Sequence, residues 1–135
     1  MLSIHDIGEV TTGDVFAYHK TEQDSEVEYA AAMKLLHPSL HDYYHEYEKN
    51  ETLDAKYARS MDVLAPNIHE VDMPNVTFER FSLLNATVQD VIERKRKYMQ
   101  WESVLLEVFD LLMEQYDAIA NEKEPIFIPE PYDIV

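Results

Sequence analysis

Residues 101–119, WESVLLEVFDLLMEQYDAI, settle the class of fold. Trp101, Val104, Leu105, Val108, Phe109, Leu112, Tyr116 and Ile119 recur at three- and four-residue spacing, without a glycine or proline among them. That is the period of one helical face and not the alternation of a strand. Working outward, the same period governs residues 52–68, TLDAKYARSMDVLAPNI, where Thr52 is a candidate N-cap and Leu53, Tyr57, Met61, Leu64 and Ile68 form a stripe. Beside it runs a stripe of small residues, Ala55, Ala58 and Ala65, interrupted by Asp62. A carboxylate set among alanines, where another element can approach closely, needs a partner. Arg59, a basic residue from another helix or a metal ion would each serve.

The rest of the chain reads the same way. It holds only 2 Gly and 6 Pro in 135 residues, so long stretches carry no breaker and an all-α fold is expected. Leu2, Ile4 and Ile7 read as the last turns of a helix ended by Gly8 and Thr11–Gly13, and residues 14–24 as loop. A short helix is expected over Glu28–Leu36, stopped by His37-Pro38. Ser39 would cap the next, with Leu40, Tyr43, Tyr44 and Tyr47 on one face and an end near Asn50. Pro66 and Pro74 bracket a looser stretch, after which Phe78 to Ile92 read as one helix running into the basic run Arg94–Lys97, taken as a solvated face. The expected organisation is one domain over 1–120 and an extended tail over 121–135, which would dock only by Ile126, Phe127 and Ile128.

Charge narrows the partners. Eleven Lys and Arg against 27 Asp and Glu give a net charge of -16, which repels phosphate backbones and anionic membrane surfaces, so neither a nucleic acid nor a membrane is expected. With no Cys there is no thiolate ligand or nucleophile, and any metal must be held by His and carboxylate. No apolar run approaches the ~20 residues of a membrane span and the N-terminus has no secretory pattern, so a cytoplasmic location is expected. His5-Asp6, followed by Glu9 and Asp14, puts four ionisable side chains within ten residues immediately after an apolar segment, and an imidazole beside a carboxylate suits a divalent transition metal. As residues alone they are equally the polar end of a helix and a turn. His41 and His45 at i, i+4 lack the accompanying Glu of a zinc helix.

The strings IHDIGEVTTGD at 4–14 and ETLDAKYARSMDVLAP at 51–66 resemble the HD-domain metal-dependent phosphohydrolases, in particular their 5'-deoxynucleotidase-like branch. The resemblance spans two blocks in the right order over the first half of the chain. It implies an HD-domain-like helical bundle in which His5, Asp6 and the distant Asp62 hold a divalent metal ion (Mn, Co, Fe, Zn or Mg), with Glu9 and Asp14 in catalytic roles. The implied substrate is a small nucleotide, a (deoxy)nucleoside 5'-monophosphate cleaved to nucleoside and phosphate. The family's first metal-binding His lies a few tens of residues before the His-Asp pair, and only four residues precede His5, so the bundle is expected to be N-terminally truncated. Apolar faces left uncovered by truncation would favour a homo-oligomer. Two readings stay open: a phosphohydrolase, or a catalytically incomplete helical module acting through association.

Overall fold

Among the described residues of the computed structural model, 1–15 and 20–121, the regular elements are helical and no strand occurs. The elements are α1 (Glu9–Thr12), α2 (Glu22–Leu35), α3 (His41–Lys49), α4 (Leu53–Asp72), α5 (Pro74–Leu84), α6 (Val88–Lys95) and α7 (Ser103–Asn121). Two 3-10 turns, Pro38–Leu40 and Arg96–Tyr98, precede α3 and follow α6. The all-α expectation is met. The expected tail, with Ile126, Phe127 and Ile128, lies outside the described residues, as does His19.

The chain divides into two compact units, Met1–Arg59 and Ser60–Val135. In the first, α1 packs on α2. Its core gathers Ala32, Leu36 and Tyr44, with Ile4, Ile7, Tyr29, Met33 and Leu40 against them. Gly8 marks the closest approach: a Cβ there would stand 2.8 Å from Cγ of Glu28 and closer still to its carbonyl oxygen. Gly8 does not end the first helical segment, as its sequence position suggested; it is the N-cap of α1, which Gly13 terminates at φ 79°. The second helix begins six residues earlier than expected, because Thr21 and Asp24 form a capping box in which each side chain bonds the other's backbone N–H. Ser39 is no cap: it sits inside the first 3-10 turn, where its N–H donates to Nδ1 of His37.

α4 corrects two expectations. Pro66 lies inside the helix rather than at its end, and only Met73 separates α4 from Pro74, which occupies the first turn of α5. The buried face changes along the helix: in its first turns Ala55 is 0% exposed and Ala58 is buried while Leu53 and Tyr57 are 70% and 55% exposed, but further on Leu64 is a core residue, Met61 packs against that core, and Ala65 is exposed. The expected large-residue stripe is thus buried only in part, and in the first turns alanines pack where backbones come closest.

In the second unit, Leu64, Val91, Met99, Phe109, Met113 and Tyr116 form the core. α5 and α6 are separate helices, since Asn85 adopts the left-handed C-cap conformation and Thr87 opens α6 with a second capping box to Asp90. α7 begins after Trp101, whose Nε1–H donates to Oγ of Ser60 at 3.0 Å. Its buried face is rotated toward Met113, leaving Val104 and Val108 exposed. The basic run is not a plain solvated face either. Lys95 turns inward to donate to Oδ1 of Asn67 at 2.7 Å, and Arg96 makes a two-pronged pair with Asp110 at 3.0 and 2.9 Å.

Candidate metal centre

The turn preceding α1 carries the His-Asp pair. Nδ1 of His5 lies 2.6 Å from the carbonyl oxygen of Leu2, so that nitrogen carries a proton and the ring is fixed with Nε2 outward. Nε2 stands 2.9 Å from Oδ2 of Asp6. The imidazole also meets the ring of Tyr47 edge to face, centroids 5.3 Å apart. Tyr47 itself is 1% exposed and anchors α3. The pair is therefore held from three sides: a backbone carbonyl, an aromatic ring and the carboxylate beside it.

This arrangement suits a cation. A nitrogen and an oxygen each ~2.1 Å from one ion and at right angles to one another stand ~3 Å apart, which is the separation of Nε2 and Oδ2. The Nδ1–H to carbonyl bond is the outer contact that presents Nε2 as a ligand. Both nitrogens donate only when the imidazole is protonated, and the proton between Nε2 and Asp6 occupies the place a divalent ion would take. Among the described residues no group of three or more His, Asp or Glu side chains is gathered as an ion would need, so the pair is a partial donor set. Asp62 stands half-buried in α4 within the second unit, where its charge acts on Lys95.

The two carboxylates expected to be catalytic differ. Glu9, in the first turn of α1, is half-buried, and burial pushes its carboxyl above the ordinary range. The charges of Asp6, Asp14 and Glu28 push the same way, against Lys20. A carboxylate so placed holds a proton more readily, as a general base near neutrality must. Asp14 is exposed just beyond Gly13 and enters this site through its field on Glu9. The sequence thus placed His5, Asp6, Glu9 and Asp14 in one electrostatic neighbourhood, and all four belong to the first unit.

The neighbourhood holds residues that the sequence did not single out for function. Glu28 reaches it from α2 and is paired with Lys20. Arg59, in the second turn of α4, sits over Tyr47 with its guanidinium carbon 3.9 Å from the ring centroid, and its Nη2 is 3.3 Å from Oε1 of Glu48. Tyr44 is buried among Glu48, Glu28 and Asp6, and burial first, then these charges, push its hydroxyl up to about 12. Helical spacing alone marked the tyrosines as core, which Tyr44 and Tyr47 are, whereas Tyr43 and Tyr57 are exposed; only folding shows what they carry. The two remaining histidines of interest are engaged elsewhere: His45 Nδ1 is 2.6 Å from the hydroxyl of Tyr29, and His41 Nε2 is 3.2 Å from the carbonyl of Leu36.

Comparison with known proteins gives one family. Residues 1–106 match the family described as HD domain, which takes in His5, Asp6, Glu9, Asp14 and Asp62. No curated protein and no solved structure matches the chain.

Proposed function

Because the chain belongs to the HD-domain family, whose members are metal-dependent phosphohydrolases, we propose that it hydrolyses (deoxy)nucleoside 5'-monophosphates to nucleoside and phosphate. The observation that carries the reading is the His5–Asp6 pair, its imidazole held by Leu2 and Tyr47 and its Nε2 2.9 Å from Oδ2 of Asp6. His5, Asp6 and Asp62 would hold a divalent ion, which when bound polarises a phosphate oxygen and lowers the pKa of water. The side chains of this unit do the remaining work. Glu9 takes the proton of the attacking water, its raised pKa matching that task. Asp14 adds charge beside Glu9 and keeps its proton affinity up. As the water oxygen bonds to phosphorus, the ester P–O bond breaks and the 5'-oxygen leaves with the proton that Glu9 had taken, giving a nucleoside and inorganic phosphate and returning Glu9 to its carboxylate.

Metal analysis of protein purified without chelator tests this. The reading expects a single divalent ion per chain, lost in Asp6→Ala and in Asp62→Ala. A second reading has its own support, in that the donors gathered among the described residues are fewer than three. In it the chain is a catalytically incomplete helical module acting through association, and neither substitution changes metal content.

A further inference from the structure

α7 buries Phe109, Met113, Tyr116 and Ile119 and leaves a second apolar line outside. Val104, Val108 and Leu111 are 61%, 37% and 54% exposed. They are spaced four and three residues apart, the alternation of a coiled-coil seam, and the exposed Gln115 and Ala118 continue it. On one side of the line lie Leu105 and Leu112, three and four residues from Val108 and half-buried against the core. On the other stand Glu107 and Glu114, both exposed and each within one turn of Leu111. Single exposed apolar residues are ordinary. Three in seam register beside a charged edge are the footprint of a helix that packs on a helix. Charge decides which helix. α7 carries Glu107, Asp110, Glu114 and Asp117 and no Lys or Arg. Asp110 is taken up by Arg96, whereas Glu107 and Glu114 make no ion pair among the described residues. A second copy of α7 would bring four more carboxylates to the seam and no cation, on a chain whose net charge is already -16.

We infer that the outer face of α7 is a docking seam for a cationic amphipathic helix of another protein, apolar at alternating three- and four-residue spacing and flanked by Lys or Arg. Val104, Val108 and Leu111 receive its apolar anchors, and Glu107 and Glu114 pair with its basic flank. Three large anchors make a small contact, so the complex is a transient one. The seam needs neither reading of the metal centre, since His5 and Asp6 belong to the first unit and α7 to the second.

Fluorescence anisotropy of a labelled amphipathic peptide about three heptads long tests it, with leucines at seam spacing, lysines beside them, and the full-length chain as titrant. A twin peptide carries glutamates in place of the lysines. The lysine peptide reaches half-saturation at about 10–100 μM, and the glutamate twin binds at least about tenfold more weakly. Leu111→Lys weakens the lysine peptide by at least about tenfold, because it puts a like charge in the seam. Glu107→Lys with Glu114→Lys weakens it about tenfold and lets the glutamate twin bind. Glu22→Lys with Glu26→Lys on α2 changes the net charge equally and weakens binding by less than about twofold, since separated surface charges are screened. All these positions are exposed, and circular dichroism confirms that each variant is folded. The inference is overturned if the lysine peptide does not bind or if the two peptides bind alike. It is overturned equally if the α7 and α2 charge swaps weaken binding to the same degree, which is attraction by net charge alone. Sedimentation of the chain by itself adds a further outcome: self-association dissolved by Leu111→Lys gives the seam to a second copy and removes the cationic partner. Peptide binding without phosphate release keeps the seam and removes the enzyme, and phosphate release without peptide binding does the reverse.

Discussion

Replacing Tyr116 by Phe removes one oxygen atom from the centre of the second unit and leaves the ring in place. That hydroxyl accepts from Nδ2 of Asn67 at 3.1 Å and donates to the Glu70 carboxylate, which is also paired with Arg80. Asn67 in turn receives Lys95 at 2.7 Å, so α4, α6 and α7 are joined through a polar cluster inside an apolar core. Asn67 and Tyr116 are buried, and no water can replace the lost oxygen without a cavity to hold it. A buried amide donor left without its acceptor costs ~1 kcal/mol or more, and a hydrogen bond to an ionised carboxylate is worth ~1.5–3 kcal/mol. The ring contact with Phe81 at 5.7 Å survives, and Glu70 and Asn67 keep their other partners. The expected loss is about 2–3 kcal/mol, a fall in melting temperature of about 8–12 °C for a chain of this length. Trp101 is the sole tryptophan and lies in the same unit, so its fluorescence during urea unfolding reports the change where it is made. Combined with Lys95→Met, which removes the other bond to Asn67, the two losses should not add. A Tyr116→Phe loss below about 0.5 kcal/mol, or strict additivity in the pair, would refute the reasoning.

Gly8→Ala should destabilise the first unit by about 1–3 kcal/mol, since the new methyl collides with the backbone of Glu28; thermal unfolding followed by circular dichroism would read it. Ala55→Leu should cost about 1–3 kcal/mol while Leu53→Ala changes stability by less than about 0.5 kcal/mol, a contrast that checks by urea titration which stripe of α4 is buried. The Thr21 and Thr87 hydrogen bonds hold the carboxyls of Asp24 and Asp90 below the usual carboxylate value of 3.8, so the stability they lend is present above that pH and is lost as pH falls through the lowered folded values. NMR titration of Thr87→Ala should move the Asp90 carboxyl upward, part of the way to the ordinary range because the backbone N–H bond is kept, and leave Asp24 unchanged.

Helical content was legible because spacing reports which faces can be buried, and Thr52 and Asn50 marked boundaries that the structure keeps. What spacing could not report was which of two adjacent stripes wins. In the first turns of α4, Ala55 and Ala58 are buried and Leu53 and Tyr57 are outside, whereas further on Leu64 is buried and Ala65 exposed, a choice made by how closely a neighbouring backbone approaches. The capping boxes at Thr21–Asp24 and Thr87–Asp90 were present as a four-residue pattern and would have corrected two boundaries. Pro66 was read as a breaker because an interior proline costs a hydrogen bond, yet α4 runs on to Asp72, where Glu70 joins the cluster around Asn67 and Tyr116. At the site, His5, Asp6, Glu9 and Asp14 stood close enough in sequence for their grouping to be local. Tyr47 meets His5, and Arg59 meets Tyr47, only through tertiary packing between α3, α4 and the first turn, which no spacing encodes.

The central claim is that this HD-domain chain cleaves phosphate esters through a metal held by the His5–Asp6 pair. The measurement that meets it most directly is phosphate release from a deoxynucleoside 5'-monophosphate with added manganese or cobalt, comparing the wild type with Asp6→Asn. The account predicts release by the wild type that chelator abolishes, reduced at least about 100-fold by Asp6→Asn, since a first-sphere ligand matters no less than the outer-shell partners that cost 10–100-fold. Release that ignores chelator, equal release by the two proteins, or none from the metal-loaded wild type would contradict it.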